Sequence, residues 1–158
     1  MPSDAQILKK IKQAFAGCRR PEHFGDYTHC AECAEYDEVL RSRDVRTLLI
    51  EDVGNSASDP ICFITSQGFA YYLPALVRLA LDDPTEPHGW YGAQLLFHLC
   101  GDGRENRRIL ACAPDQRRAV AEFLRHLVET RAVLADNYCC TEDLLQALEI
   151  WSPEIRVD

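Results

Sequence analysis

The sequence predicts a mainly α-helical fold, a single helical domain over residues 1–158 built as an irregular bundle of six to eight helices. Three observations lead there. Apolar residues recur at intervals of three and four along most of the chain, the period of a helix face. Ser, Thr or Pro opens several of these stretches, where helix caps and first turns belong. The one continuous apolar run suited to a strand, Ile61-Cys62-Phe63-Ile64, is short.

In chain order, Ser3 suits the cap of a first helix whose Ile7, Leu8, Ile11 and Phe15 share a face. Gly17 is placed to close it in the left-handed conformation. Cys18–Tyr27, with Pro21 and Gly25, reads as a loop. Thr28 offers a cap for a second helix in which Cys30, Cys33, Ala34 and Asp37 fall on one face. Asp44 offers another, for a short helix through Leu48, Leu49 and Val53; a short strand pair near 47–50 and 61–64 is the alternative. Gly54–Pro60 reads as a turn-rich loop with little to bury.

Thr65 or Ser66 then caps a helix that turns Phe69, Tyr72, Leu73, Leu76, Val77 and Ala80 inward. Pro74 lies inside this pattern. A proline there loses a backbone hydrogen bond and clashes with the preceding turn, at ~3 kcal/mol, which predicts a kink or a split into two helices. Asp82–Gly89, with Pro84 and Pro87, must be a connection. Trp90, Ala93, Leu96, Phe97 and Cys100 form the next stripe, ended by Gly101, and Gly103–Cys112 predicts a further short helix. Pro114 opens the longest helix, whose stripe runs through Val120, Phe123, Leu124, Leu127, Val128, Arg131 and Leu134. Thr141 caps the last, with Leu144, Leu145, Leu148 and Trp151 inward and Pro153 beyond its end.

A chain of this length buries roughly 68–70% of its unfolded surface and needs no metal or disulfide merely to fold. Its apolar stretches are too short or too interrupted to span a bilayer, and Met1-Pro2-Ser3-Asp4 lacks the start of a secretory signal, so the expected location is cytoplasmic, away from membranes. In such a reducing compartment the eight cysteines are expected as thiols. The formal charge is -8, with a net -7 over residues 21–60, -5 over residues 132–158 and +4 over residues 1–20. That balance disfavours a phosphate-neutralising grip on nucleic acid and suits a basic protein partner.

Phe69-Ala70-Tyr71-Tyr72-Leu73-Pro74-Ala75, preceded by the turn Thr65-Ser66-Gln67-Gly68-Phe69, resembles the signature of an uncharacterised family of small bacterial proteins. Pro114-Asp115-Gln116-Arg117-Arg118-Ala119-Val120 with Phe123-Leu124 is similar to a second block of that family, and Leu144–Trp151 to its C-terminal helix. The resemblance spans most of the chain from about Cys30 onward. It implies a single-domain bacterial protein and supplies no catalytic role.

The sharpest local feature is His29-Cys30-Ala31-Glu32-Cys33. Two thiols separated by two residues suit half of a tetrahedral zinc site, with His29 and His23 as the nearest further ligands and Cys62 and His88 as distant ones. The same pair near a helix start suits dithiol redox chemistry, because exposed amides favour a thiolate, although Asp26, Glu32, Glu35 and Asp37 oppose it. A third reading is two buried cysteines on an apolar face. His98 and His126 sit among apolar helical residues and read as packed, hydrogen-bonded side chains. Tyr71, Trp90 and Tyr91 would form a recessed interaction patch if they met beside Pro74.

No phosphate loop, nucleophile elbow or paired-histidine helix motif is present. The leading expectation is therefore a non-enzymatic protein without a cofactor, acting through protein–protein contacts in an inhibitor, immunity-like or adaptor role. A zinc-binding or dithiol redox protein built on Cys30 and Cys33 is the alternative.

Overall fold

The computed structural model describes residues 1–152 and is mainly helical, as the spacing predicts. Five helices carry most of the core: α1 (Asp4–Phe15), α4 (Ser66–Leu81), α5 (Tyr91–Cys100), α7 (Pro114–Thr130) and α9 (Thr141–Trp151). Each packs on two others in the order α1, α4, α5, α9, α7 and back to α1, so they close a ring. Ile7, Ile11, Tyr72, Leu76, Leu95, Leu99, Val120, Phe123, Leu144 and Trp151 fill its centre. The remaining elements decorate the ring: α2 (Ala31–Arg41), α3 (Ile50–Val53), α6 (Arg107–Leu110), α8 (Ala132–Asn137) and 3-10 turns at Pro60–Phe63 and Gly103–Glu105. No helix among the described residues is long and apolar enough to cross a membrane.

Several helix ends depart from the sequence expectation, each for a local reason. The Ser3 cap is real and reciprocal: Gln6 N–H donates to Ser3 Oγ (3.2 Å) and Ser3 N–H to Gln6 Oε1 (2.8 Å). Gly17 does not close α1, because Ala16 ends it in ordinary right-handed geometry. Thr28 does not cap α2. Its hydroxyl and amide are both spent on Asp26 Oδ1, and the cap is the Cys30 sulfur, which accepts from the Cys33 amide at 3.4 Å. The strand pair does not form. Asp59 caps Pro60–Phe63 by accepting from the Ile61 amide, Pro60 sets the first turn, and residues 47–49 run as turn and irregular chain.

α4 runs unbroken through Pro74, so the split into two helices does not occur. Eleven of its 16 residues are buried, and that tertiary packing outweighs the proline's local cost. The turn before it explains Thr65-x-x-Gly68: Thr65 Oγ1 accepts from the Gly68 amide (3.1 Å), and a Cβ on Gly68 would come within 2.9 Å of the Phe24 ring and the Ile64 side chain. α5 buries Leu96 and Cys100 of the expected stripe, as does Trp90 just before it, and adds Leu95, His98 and Leu99, while Phe97 is left 64% exposed. The expected helix at Gly103–Cys112 is two short turns separated by Asn106. Leu145 on α9 is exposed, with Ala147 and Ile150 inward instead; Thr141 is the first helical residue rather than the cap, and Pro153 lies outside the described residues.

The longest helix stops at Thr130 because Arg131 leaves helical geometry (φ -125°, ψ 22°), and Leu134 falls on the separate α8. The Arg131 guanidinium grips both oxygens of Asp4 (2.9 and 2.7 Å) and the Leu81 carbonyl (2.8 Å), while His126 holds Asp4 Oδ1 at 2.6 Å. This staple joins the start of α1 to the ends of α4 and α7. The Arg131 hydrogen bond foremost, then that of His126, draws the Asp4 carboxyl down to about 2. A depressed carboxyl stabilises the fold above its unfolded value, and that contribution is lost as pH falls through the folded value. Asp4 is about half exposed, so solvent screening trims the effect. Asp4→Asn is expected to cost about 1–2 kcal/mol near neutral pH. In urea melts the gap from wild type should close as the pH is lowered from about 4 to about 2.

Candidate functional site

Residues 18–65 leave the ring and return to it, and the candidate chemistry lies on or beside them. Two buried polar groups fix the first half of this excursion. Asp37, on the inner face of α2, accepts from His23 Nδ1 and from the Phe24 amide, both at 2.6 Å. The Tyr72 hydroxyl, on α4, reaches the carbonyls of Leu40 and Arg43. Burial pushes this phenol up to about 12, which keeps its proton in place as a donor.

Fixing the loop in this way presents His29, Cys30 and Cys33 together at the exposed start of α2, with one ligand atom of each within 4.8 Å of the others. His29 Nδ1 lies 3.6 Å from Cys33 Sγ. Cys30, as the cap, points its sulfur at the Cys33 amide, and that N–H, followed by His29, draws its thiol down to about 7. His29 and Cys33 move the other way, each foremost because of its hydrogen bond with Cys30. His23 is not part of the cluster. Asp37 captures its ring, which stacks on Tyr27 at 3.9 Å. Cys30 is exposed and Cys33 half-buried, so the reading as two buried cysteines is overturned.

A second cluster was not legible in the sequence. Asp59, placed there in a loop with little to bury, is 3% exposed. Its Oδ2 accepts from Gln94 Nε2 and His98 Nε2, both at 2.7 Å, and its Oδ1 from the Ile61 amide at 2.9 Å. Cys62 completes a group of ligand-type atoms within 4.8 Å. A carboxylate oxygen and an imidazole nitrogen sharing a tetrahedral zinc lie roughly 3.4 Å apart. The Asp59–His98 separation is that of a hydrogen bond instead, and the Arg108 guanidinium acts on the same group with positive charge. The local signal for Asp59 was Asp-Pro, a capping residue followed by a first-turn proline. This network sits beside a cavity of about 450 Å³ walled by Trp90, Phe97 and Tyr138.

Tyr71, Trp90 and Tyr91 do not converge. Tyr71 is tied by Arg20 and the Val45 amide to the loop between α2 and α3, and it lines a different cavity, against α1. Trp90 is buried, its Nε1 donating to the Ala80 carbonyl. Tyr91 is buried with its hydroxyl unpaired among the described residues. His98 and His126 are packed and hydrogen-bonded, as expected.

The family model described as a family of unknown function (DUF6714) matches residues 3–154, and the chain belongs to that family. No curated protein and no solved structure matches it.

Asp59→Ala would strand two buried donors, the Ile61 amide and the His98 ring, and one hydrogen of the half-buried Gln94 amide. The expected loss is about 3–5 kcal/mol in denaturant unfolding, with a smaller loss for Asp59→Asn, which keeps one acceptor oxygen. Equal stability of Asp59→Ala and wild type would show that the network anchors nothing.

Proposed function

We propose that this DUF6714 chain is a zinc-binding protein whose metal is held by His29, Cys30 and Cys33. The observation behind this reading is the separation of 3.6 Å between His29 Nδ1 and Cys33 Sγ. With zinc–sulfur near 2.3 Å and zinc–nitrogen near 2.0–2.1 Å, two ligands at a tetrahedral angle lie about 3.6 Å apart. The surroundings suit a cation as well. Asp26 and Glu32 both disfavour a thiolate at Cys33, and Asp26 favours the charged imidazole at His29. A dication relieves that crowding and takes the thiols as thiolates. Three protein ligands leave a fourth position for water or for a donor from a partner.

A second reading, contact with a basic protein, is favoured by the solvent face of α2. Glu35 and Glu38 are exposed and take part in no ion pair among the described residues. The two readings are compatible, since metal and acidic face share one helix.

Native mass spectrometry with elemental analysis tests the metal. One zinc per chain is expected as purified, with occupancy lost in Cys30→Ser and Cys33→Ser and reduced in His29→Gln. A zinc-free protein that takes up no zinc under reducing conditions would overturn the proposal. A reversible Cys30–Cys33 disulfide in that protein would favour dithiol chemistry instead.

A further inference from the structure

The cavity against α1 has about the same volume as the one beside Asp59, about 450 Å³, but the opposite chemistry. Its charged lining is Lys12 from α1, Arg46 from the loop before α3, and Arg78 from α4, with no carboxylate among the lining residues. In a chain of net charge -8 that is a local reversal of sign. The three cations are not consumed by the fold. Lys12 and Arg46 side chains make no hydrogen bond or ion pair among the described residues, and Arg78 spends one nitrogen on the Leu48 carbonyl (2.8 Å). Asp44, the nearest carboxylate in sequence, interacts electrostatically with Arg46 without pairing with its side chain, and its Oδ1 accepts from the amides of Arg46 and Thr47.

The neutral polar group of the wall is the Tyr71 hydroxyl. It accepts from Arg20 Nη1 (3.0 Å) and from the Val45 amide (3.4 Å), which leaves its own proton to donate. The Cys18 sulfur, also in the wall, accepts from Gln116. Phe15, Val45 and Pro74 supply apolar surface. The side-chain chemistry is thus a set of cationic and hydroxyl donors set in an apolar wall, within the roughly 300–1,000 Å³ of small-molecule sites.

We propose that this cavity binds a small organic anion, a carboxylate or phosphate group on an apolar or aromatic body. Lys12, Arg46 and Arg78 hold the anionic group through charge-assisted hydrogen bonds, and the apolar wall takes the body. The acidic molecule as a whole repels anions, so binding there depends on these three side chains.

Calorimetric titration of the full chain with naphthyl phosphate, naphthoate, naphthalenemethanol and a hexaglutamate peptide tests this. One site per chain is expected for at least one aromatic anion, about tenfold tighter than for the neutral alcohol. Which anion binds more tightly assigns the headgroup. Arg46→Gln and Lys12→Gln, both at exposed side chains, should each weaken binding severalfold at an unchanged melting temperature. Arg78→Gln should weaken it most. Equal affinity for the neutral alcohol, absence of saturable binding, or indifference to all three substitutions would overturn the proposal. Tighter binding of the peptide than of either aromatic anion would replace it with a protein-docking role.

Discussion

A carboxylate taken out of water must be surrounded by donors, and this requirement at Asp59 and Asp37 shapes the part of the molecule that carries chemistry. The five-helix ring is held mainly by apolar packing, with the Asp4 staple at one end. The excursion over residues 18–65 contains only α2, α3 and one 3-10 turn, and it adds polar anchors to its own buried Phe24, Leu40, Leu48, Val53 and Ile61. It is pinned where Asp59 meets Gln94 and His98 on α5, where Asp37 meets His23 and Phe24, and where Tyr72 meets the end of α2. An uncompensated buried charge costs several kcal/mol, so loop arrangements that break these contacts are strongly disfavoured. The polar hubs thus give an irregular segment a defined shape.

That shape separates charge. The outward side of α2 is acidic and presents the His29, Cys30 and Cys33 cluster. The same excursion turns Arg46 toward Lys12 and Arg78 at the ring, where acids are absent from the cavity wall. The proposed cation and anion sites would rely on such a separation, because interactions between exposed charges fade over about 8–10 Å at ordinary ionic strength. The Asp59 cavity shares no lining residue with either, and its own carboxylate is held by fixed donors.

What was legible in the sequence was what is local. The Ser3 cap, the Thr65 turn and the inward faces of α1, α4 and α7 follow from spacing within one or two turns. The His29-Cys30-x-x-Cys33 cluster was legible for the same reason, since a helix start brings residues three and four apart together. Its fourth expected member, His23, failed because Asp37 offers a buried carboxylate 14 residues away, a competition that spacing does not reveal. Thr28 lost its cap role to Cys30 through the Asp26 turn, and Arg131 ended α7 through a bond to Asp4 across 127 positions. The basic cavity draws its cations from three separate elements, so only the closed ring and the pinned loop bring them together.

On the proposed reading, the cluster at the start of α2 is a metal centre rather than a pair of thiols. X-ray absorption at the zinc edge of the purified protein examines it most directly. Zinc held by His29, Cys30 and Cys33 would show two sulfur ligands near 2.3 Å, with nitrogen or oxygen at about 2.0–2.1 Å, and loss of the sulfur shell in a Cys30→Ser, Cys33→Ser double variant. A spectrum with nitrogen and oxygen ligands alone, unchanged in that variant, would contradict it.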